Sequence, residues 1–345
     1  MAATPTYPSP LPPLPHRVPK SGPAVPGLRQ APKDSSRSWP LRDRIGLALC
    51  WAAGLFFCAV AAAIVLFMLY KGITELTPEL LVTHPQASVS QKDSGGILDP
   101  IIGTVLLTAI GIAIAGPLGV VVALWLTEYG RPKWLARGVE LAVEIIAGTP
   151  SIVLAIFGLL IFSQSFLSFL SFTATGGAVF GRSFVIAGAV MSLIALPLVV
   201  GATREALNSI PGHVREASYA LGKTKAATIR RVLLPAIRPG IATGTVLGMG
   251  RIVGDTAIVI LLLGATAQIE GYGDTPVLST LRGTGSTLTS YVYQNSPAGE
   301  GGSQEKAYAA AFVLLLVVLL LNFTVDLIAA GGRRGRHALS DRGKA

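Results

Sequence analysis

Uninterrupted apolar stretches constrain this chain before any motif does. A helix needs about 20 consecutive apolar residues to cross the hydrocarbon of a bilayer. Residues 45–70 hold no acidic or basic side chain, and five further candidates follow at 97–127, 139–162, 184–203, 237–264 and 308–330. With 51% of its 345 residues hydrophobic and 13% charged, the chain reads as all-α and polytopic: six transmembrane helices whose mutual packing is the core. The first run is too long for the apolar centre of a signal peptide and is expected to remain as a helix. Gly116-Pro117 is expected to kink the second span. The third carries Gly148-Thr149-Pro150 near its middle, the fourth contains Pro197, and the fifth is crowded with glycine.

Six spans put both termini on one side, and the Lys and Arg residues say which. The N-terminal segment carries seven of them, the connection after the second span three (Arg131, Lys133, Arg137), residues 204–238 seven and the C-terminal segment five. The opposite connections carry two, one and two. By the positive-inside rule both termini and the 204–235 connection are cytoplasmic, in a multi-pass protein of the cell (inner) membrane. The net charge of +10 therefore reports orientation. Aromatic residues do not interleave with the cations as a single-strand binder needs, so no nucleic acid is expected as a partner beyond membrane lipid.

Residues 1–44 are rich in proline, with scattered cations and few large apolar side chains, and are expected to be a disordered, partly polyproline-like tail. Residues 331–345 read as a second basic tail, and 271–302, rich in Gly, Ser and Thr, as a loop. Cys50 and Cys58 both lie within the first apolar run, so no structural disulfide is expected. No Cys and His pattern has metal-ligand spacing, and His16, His84, His213 and His337 all fall in tails or loops. The chain has no GxxxxGK[ST] loop to cradle phosphates and no nucleophile paired with a base. An enzyme is not expected, and the chain should bind no cofactor of its own.

Two polar features remain. Residues 204–235 form the longest polar stretch between two spans. Ser209 can cap a short helix with Pro211 in its first turn, and Gly222 suits the left-handed position that ends it. Thr224 can cap a second helix over 225–234, which Pro235 is expected to close. The fifth span holds the other feature. Gly240, Gly244 and Gly248 recur at four-residue spacing, a stripe that lets helices approach closely. Arg251 and then Asp255 prolong the row, and a pair at i and i+4 can meet on one face of a helix. Charges at membrane depth cost about 2.5–3.5 kcal/mol each even on lenient scales, so the pair is expected to face the bundle. Two roles stand open for it: residues of a transport pathway, or an ion pair that fixes helix register. Glu144, one turn before Gly148, is either a pathway acid or a solvated interfacial one.

Glu216-Ala217-Ser218, three residues, Gly222, nine residues, then Val232-Leu233-Leu234-Pro235 resembles the EAA loop of ABC importer permeases. Ser218 stands for Ala and Val232 for Ile. Arg251-Ile252-Val253-Gly254-Asp255-Thr256-Ala257 resembles the R-A-x-G-E-T signature that follows this loop in phosphate-specific permeases, with Asp255 in place of Glu. The following Ala257 is similar to the PstA-type subunit. Gly148-Thr149-Pro150-Ser151-Ile152-Val153 is similar to the family's G-x-P-S-I-V stretch, with Thr149 for a small apolar residue, and the likeness covers roughly 45–330.

The resemblance implies a six-helix permease domain of the MetI-like type over 45–330. Glu216, Ala217, Gly222, Leu234 and Pro235 would belong to the coupling loop, and Arg251 and Asp255 to the pathway. It implies a phosphate importer in which a PstC-type permease completes a heterodimer, a PstB-type ATPase dimer binds ATP, and a PstS-type extracytoplasmic protein delivers phosphate. Two other readings stand beside it: an ion-coupled carrier or channel working without an ATPase, and a phosphate-sensing subunit.

Overall fold

The structure, a computed structural model, describes residues 40–85, 95–171, 181–264, 269, 280–297 and 303–341. The proline-rich tail up to residue 39 and much of the 271–302 stretch lie outside the described residues. Every named element is a helix. Helix α1, Leu41–Glu75, begins in one compact unit, residues 1–63, and ends in a second, 64–345. Its described residues in the first unit are exposed on every side, which suits a helix that lipid covers.

In the second unit, Gly72 at the end of α1 admits Phe312, and Phe67 meets Tyr308 edge to face with centroids 5.8 Å apart. A short helix α2, Pro78–Val82, is capped by Thr77. Helix α3, Leu98–Leu124, runs through Pro117 and ends in a π-helical turn, Trp125–Tyr129. The amphipathic α4, Lys133–Gly148, is followed by the apolar α5, Ser151–Phe162. Helix α6, Phe184–Asn208, is capped by Ser183. Then come α7, Gly212–Ala220, and α8, Lys225–Thr228. A π-helical turn, Ile229–Leu233, leads from α8 directly into α9, Leu234–Gly254. Helices α10, Leu288–Asn295, and α11, Gln304–Asp341, complete the described chain.

Helix α6 is the centre of the unit. It packs against both α3 and α9, and Met191, Ala195 and Val199 on it are fully buried. Among the described residues five helices are long and apolar enough to cross a membrane: α1, α3 with its terminal turn, α6, α8 with α9, and the first part of α11. The pair α4 and α5 makes a sixth if counted as one span, but the two are bent by 109°.

That bend falls at Gly148-Thr149-Pro150, near the middle of the third candidate span. Proline disfavours a helical conformation at the residue before it and has no N–H to give. Thr149 is accordingly extended, at φ −80° and ψ 131°, and Pro150 follows at ψ 137°. The fifth span differs from the expected 237–264. It starts at Lys225, passes through Pro235 and breaks at Asp255. Helix α10 occupies part of the stretch expected to be loop. Thr287 and Ser290 cap it reciprocally, and its Leu288 N–H donates to Thr104 Oγ1 on α3 at 2.9 Å. Helix α11 continues to Asp341, through residues expected to be tail.

Candidate functional site

The 204–235 segment folds as two short helices around a tight turn. Residue Gly222 has φ +73°. Its N–H donates to Tyr219 O at 2.9 Å, and the Lys223 N–H donates to Ser218 O at 3.2 Å. These are the two bonds of a Schellman ending, which satisfies the last carbonyls of α7. Thr224 then caps α8 by accepting from the Ala227 N–H. The start of α7 lies later than expected. Ser209 ends α6, its hydroxyl donating to Ala206 O, and Pro211 is the cap preceding Gly212.

Pro235 does not close the second helix. The π-helical turn Ile229–Leu233 shifts the hydrogen-bond ladder ahead of it, so Pro235 falls in the first turn of α9, where a missing N–H costs little. Leu234 and Pro235 are half-buried. Leu233, Leu207 and Ile237 form a buried cluster that fixes the segment to the ends of α6 and α9.

Polar groups hold the segment from the other side. The Arg215 Nε donates to Glu128 Oε1 at 3.0 Å, while its other nitrogens donate to Ile210 O and Leu207 O, each at 2.9 Å. The Glu128 side chain is only 6% exposed, so this pair is more than a solvated surface bridge. The Lys225 ammonium donates to Glu128 O and lies 4.6 Å over the Tyr129 ring. Ser218 and Thr228, both buried, share a hydroxyl hydrogen bond of 2.9 Å. The substitution of Ser for Ala at 218 thus has a partner ten residues on, across the turn.

Outward-facing are Gly212 and His213 at the start of α7, and then Glu216, Ala217, Tyr219, Ala220, Leu221 and Gly222. Leu221 is 78% exposed. A firmly anchored helix therefore presents a mixed apolar and acidic face. No atom lies within 4 Å of where a Cβ on Gly222 would stand, so a side chain there meets backbone strain only. Valine, β-branched, is poorly suited to positive φ. On the coupling role that the sequence resemblance implies, Gly222→Val should insert and fold but uncouple ATP hydrolysis from uptake, measured side by side in proteoliposomes. Normal transport by the variant would count against that role.

The glycine stripe of α9 does what its spacing implies. Gly240 abuts Ala206, Gly244 abuts Ala202 and Val199, and Gly248 abuts Ala195, all on α6. The buried seam then steps four residues to Ile252, which reaches Gly111 on α3. Arg251 is beside that seam and is exposed, on a row with Thr243, Leu247, Gly250 and Gly254. It has no ion-pair or hydrogen-bond partner among the described residues.

Asp255 lies past the end of α9, at φ −86° and ψ 121°. It is buried, and its Oδ1 accepts the Ile258 N–H at 3.0 Å, capping the next apolar helical stretch. The expected Arg251–Asp255 pair is therefore absent. The i, i+4 rule needs a continuous helix, and the chain turns extended at Asp255. Glu144 is exposed on α4, one turn from Glu140, which pairs with Arg204 at 2.6 Å.

Residues 115–332, more than half of the chain, match the family described as binding-protein-dependent transport system inner membrane component. This chain belongs to that family. Its members are transport subunits, and ATP hydrolysis lies on separate subunits of such systems. The family member described here is 32% identical over 256 residues to the phosphate transport system permease protein PstA 1 of Mycobacterium tuberculosis (strain ATCC 25618 / H37Rv), covering 74% of this chain and 77% of that one. It is 26% identical over 314 residues to the phosphate transport system permease protein PstC of Mesorhizobium japonicum (strain LMG 29417 / CECT 9101 / MAFF 303099), covering 86% and 93%. Its fold is similar to a chain of a bacterial alginate ABC transporter in complex with an alginate-bound periplasmic protein. The TM-score is 0.57 at 18% identity, with 84% of this chain and 94% of that one covered.

Among the sequence-derived site residues, the structure brings Gly222, Leu234 and Pro235 into one anchored unit with Glu216 and Ala217 on its outer face. It separates Arg251 from Asp255. Sequence reading missed Glu128 and Arg215, which lie 87 residues apart and carry no local signal of their pairing. It also missed the break at Asp255, although Gly followed by Asp ahead of an apolar run is a recognisable stop and restart.

Proposed function

We propose that this chain is a PstA-type permease subunit of an ATP-driven phosphate importer. A PstC-type permease completes its heterodimer, a PstB-type ATPase dimer supplies hydrolysis, and a PstS-type binding protein delivers phosphate from outside. The observation that carries the coupling role is the outward face of α7, held rigidly by the Arg215 contacts to Glu128, Ile210 and Leu207. A partner pushing on Glu216, Ala217 and Leu221 moves the ends of α3 and α6 together, because those contacts are shared. Similarity to permeases named for phosphate supports the substrate.

Arg251 is the pathway cation in this reading. It stands on the face of α9 turned away from α6, where the heterodimer would close around a passing dianion. Asp255 shapes the break rather than touching substrate. The complex purified with its ATPase and placed in liposomes should show phosphate uptake and ATPase activity that both rise when binding protein and phosphate are added. Uptake driven by an ion gradient alone, with no ATPase in the preparation, would instead favour a stand-alone carrier.

Orientation follows from the same proposal. A cysteine placed at Ser303 should react with a membrane-impermeant thiol reagent from outside intact cells, and one at Lys225 should react only after permeabilisation. Cys50 and Cys58 are replaced first. The reverse pattern would overturn both the cytoplasmic termini and the coupling assignment.

A further inference from the structure

Beside the coupling segment lies an open cavity of about 760 Å³ lined by Trp125, Glu128, Tyr129, Arg131 and Lys225. Its size is within the roughly 300–1,000 Å³ of small-molecule sites. Its wall has two parts. The half-buried Trp125 and the exposed Tyr129 stand at the end of the second span, where the apolar run of α3 gives way to charge. Such amphipathic rings mark the level of lipid headgroups. Arg131 and Lys225 supply the cations. Arg131 is exposed and has no partner among the described residues. Lys225 donates one ammonium hydrogen to Glu128 O and lies over the Tyr129 ring, which still leaves an N–H for an anion. Glu128 does not cancel them, because its carboxylate is engaged by Arg215.

We propose that this cavity binds the headgroup of an anionic phospholipid, with Arg131 and Lys225 on its phosphate and Trp125 and Tyr129 against the glycerol and upper acyl chain. Free phosphate shares the phosphate chemistry, but it has no use for the two rings. Basic pockets beside spans are suited to anionic headgroups, and each cation near an anionic surface strengthens binding by about fivefold. Lys225 opens α8, so lipid held here would bear directly on the coupling segment. The site does not depend on the transported substrate.

Fluorescence quenching tests it. The complex in mixed micelles is titrated with brominated phosphatidylglycerol or brominated phosphatidylcholine, and the Trp125 signal is taken as the difference between the parent and Trp125→Phe. The expected result is half-quenching at a lower fraction of the anionic lipid, with Arg131→Gln shifting that curve by about fivefold and shifting the phosphatidylcholine curve, whose phosphate charge is offset by choline, by less. Identical curves for the two lipids, or no shift in Arg131→Gln, would overturn the proposal. A change of Trp125 emission on adding inorganic phosphate in lipid-free detergent, without lipid preference, would assign the site to the free anion and overturn the lipid reading.

Discussion

Replacing Arg251 by glutamine should abolish most transport while leaving the protein folded and assembled. Two physical facts separate these outcomes. The guanidinium is exposed and has no partner among the described residues, so removing it leaves no buried counter-charge behind. A charge at membrane depth costs about 2.5–3.5 kcal/mol, so the neutral variant should insert at least as well as the parent. If Arg251 meets a passing anion, the lost charge-assisted hydrogen bond is worth about 1.5–3 kcal/mol, or roughly ten- to a hundredfold in uptake. Uptake by proteoliposomes, set against the yield of assembled complex, reads the two effects separately. Normal uptake would take Arg251 off the pathway.

Asp255 sharpens that experiment. Because it caps the helical stretch at Ile258 and does not pair with Arg251, asparagine should serve nearly as well and leucine should not. Loss of a cap costs about 1 kcal/mol, and here it also leaves the buried Ile258 N–H unsatisfied. The double variant Arg251→Gln with Asp255→Asn should behave as the sum of its parts. Recovery of transport in the double variant would mean that the two side chains do form a pair in the working transporter.

The contrast between these two residues shows what could be read from the sequence. Periods of apolar residues set the spans, and four-residue glycine spacing set one face of α9, because both are local properties of a helix. The turn at Gly222 and the cap at Thr224 were legible for the same reason. Prolines and polar residues misled in proportion to how much their effect depended on neighbours. Pro150 bent a span that composition alone joined, while Pro235 was absorbed by a π-helical turn that no composition announces. Arg251 and Asp255 had the right spacing but not the continuous helix that the spacing assumes. The contacts that anchor the 204–235 segment, Glu128 with Arg215 and Lys225 with Tyr129, link residues far apart in the chain. They follow from how the ends of α3 and α6 are brought together, which only the folded arrangement supplies.

Gly240→Leu should prevent the protein from folding, whereas Gly250→Leu, ten residues along the same helix, should not. Both changes add the same side chain to the same apolar span, so their difference isolates packing from hydrophobicity and helix propensity. A Cβ on Gly240 would overlap the Cβ of Ala206, and the next glycine of the stripe, Gly244, would place one 3.1 Å from both Ala202 Cβ and Val199 Cα. Backbone on the facing helix cannot move aside as a flexible side chain can, so α9 would be levered off α6. In a membrane no hydrophobic force returns it, since lipid tails are as apolar as leucine and association rests on close packing. Overpacking of a tight core costs about 1–3 kcal/mol even where side chains yield, and here the displaced helix is one that packs on the central α6. At Gly250 nothing lies within 4 Å. The yield and thermal unfolding of each variant, purified as the single chain in one detergent, give the comparison. Equal stability of the two would mean that α9 and α6 are not held together at the glycine stripe.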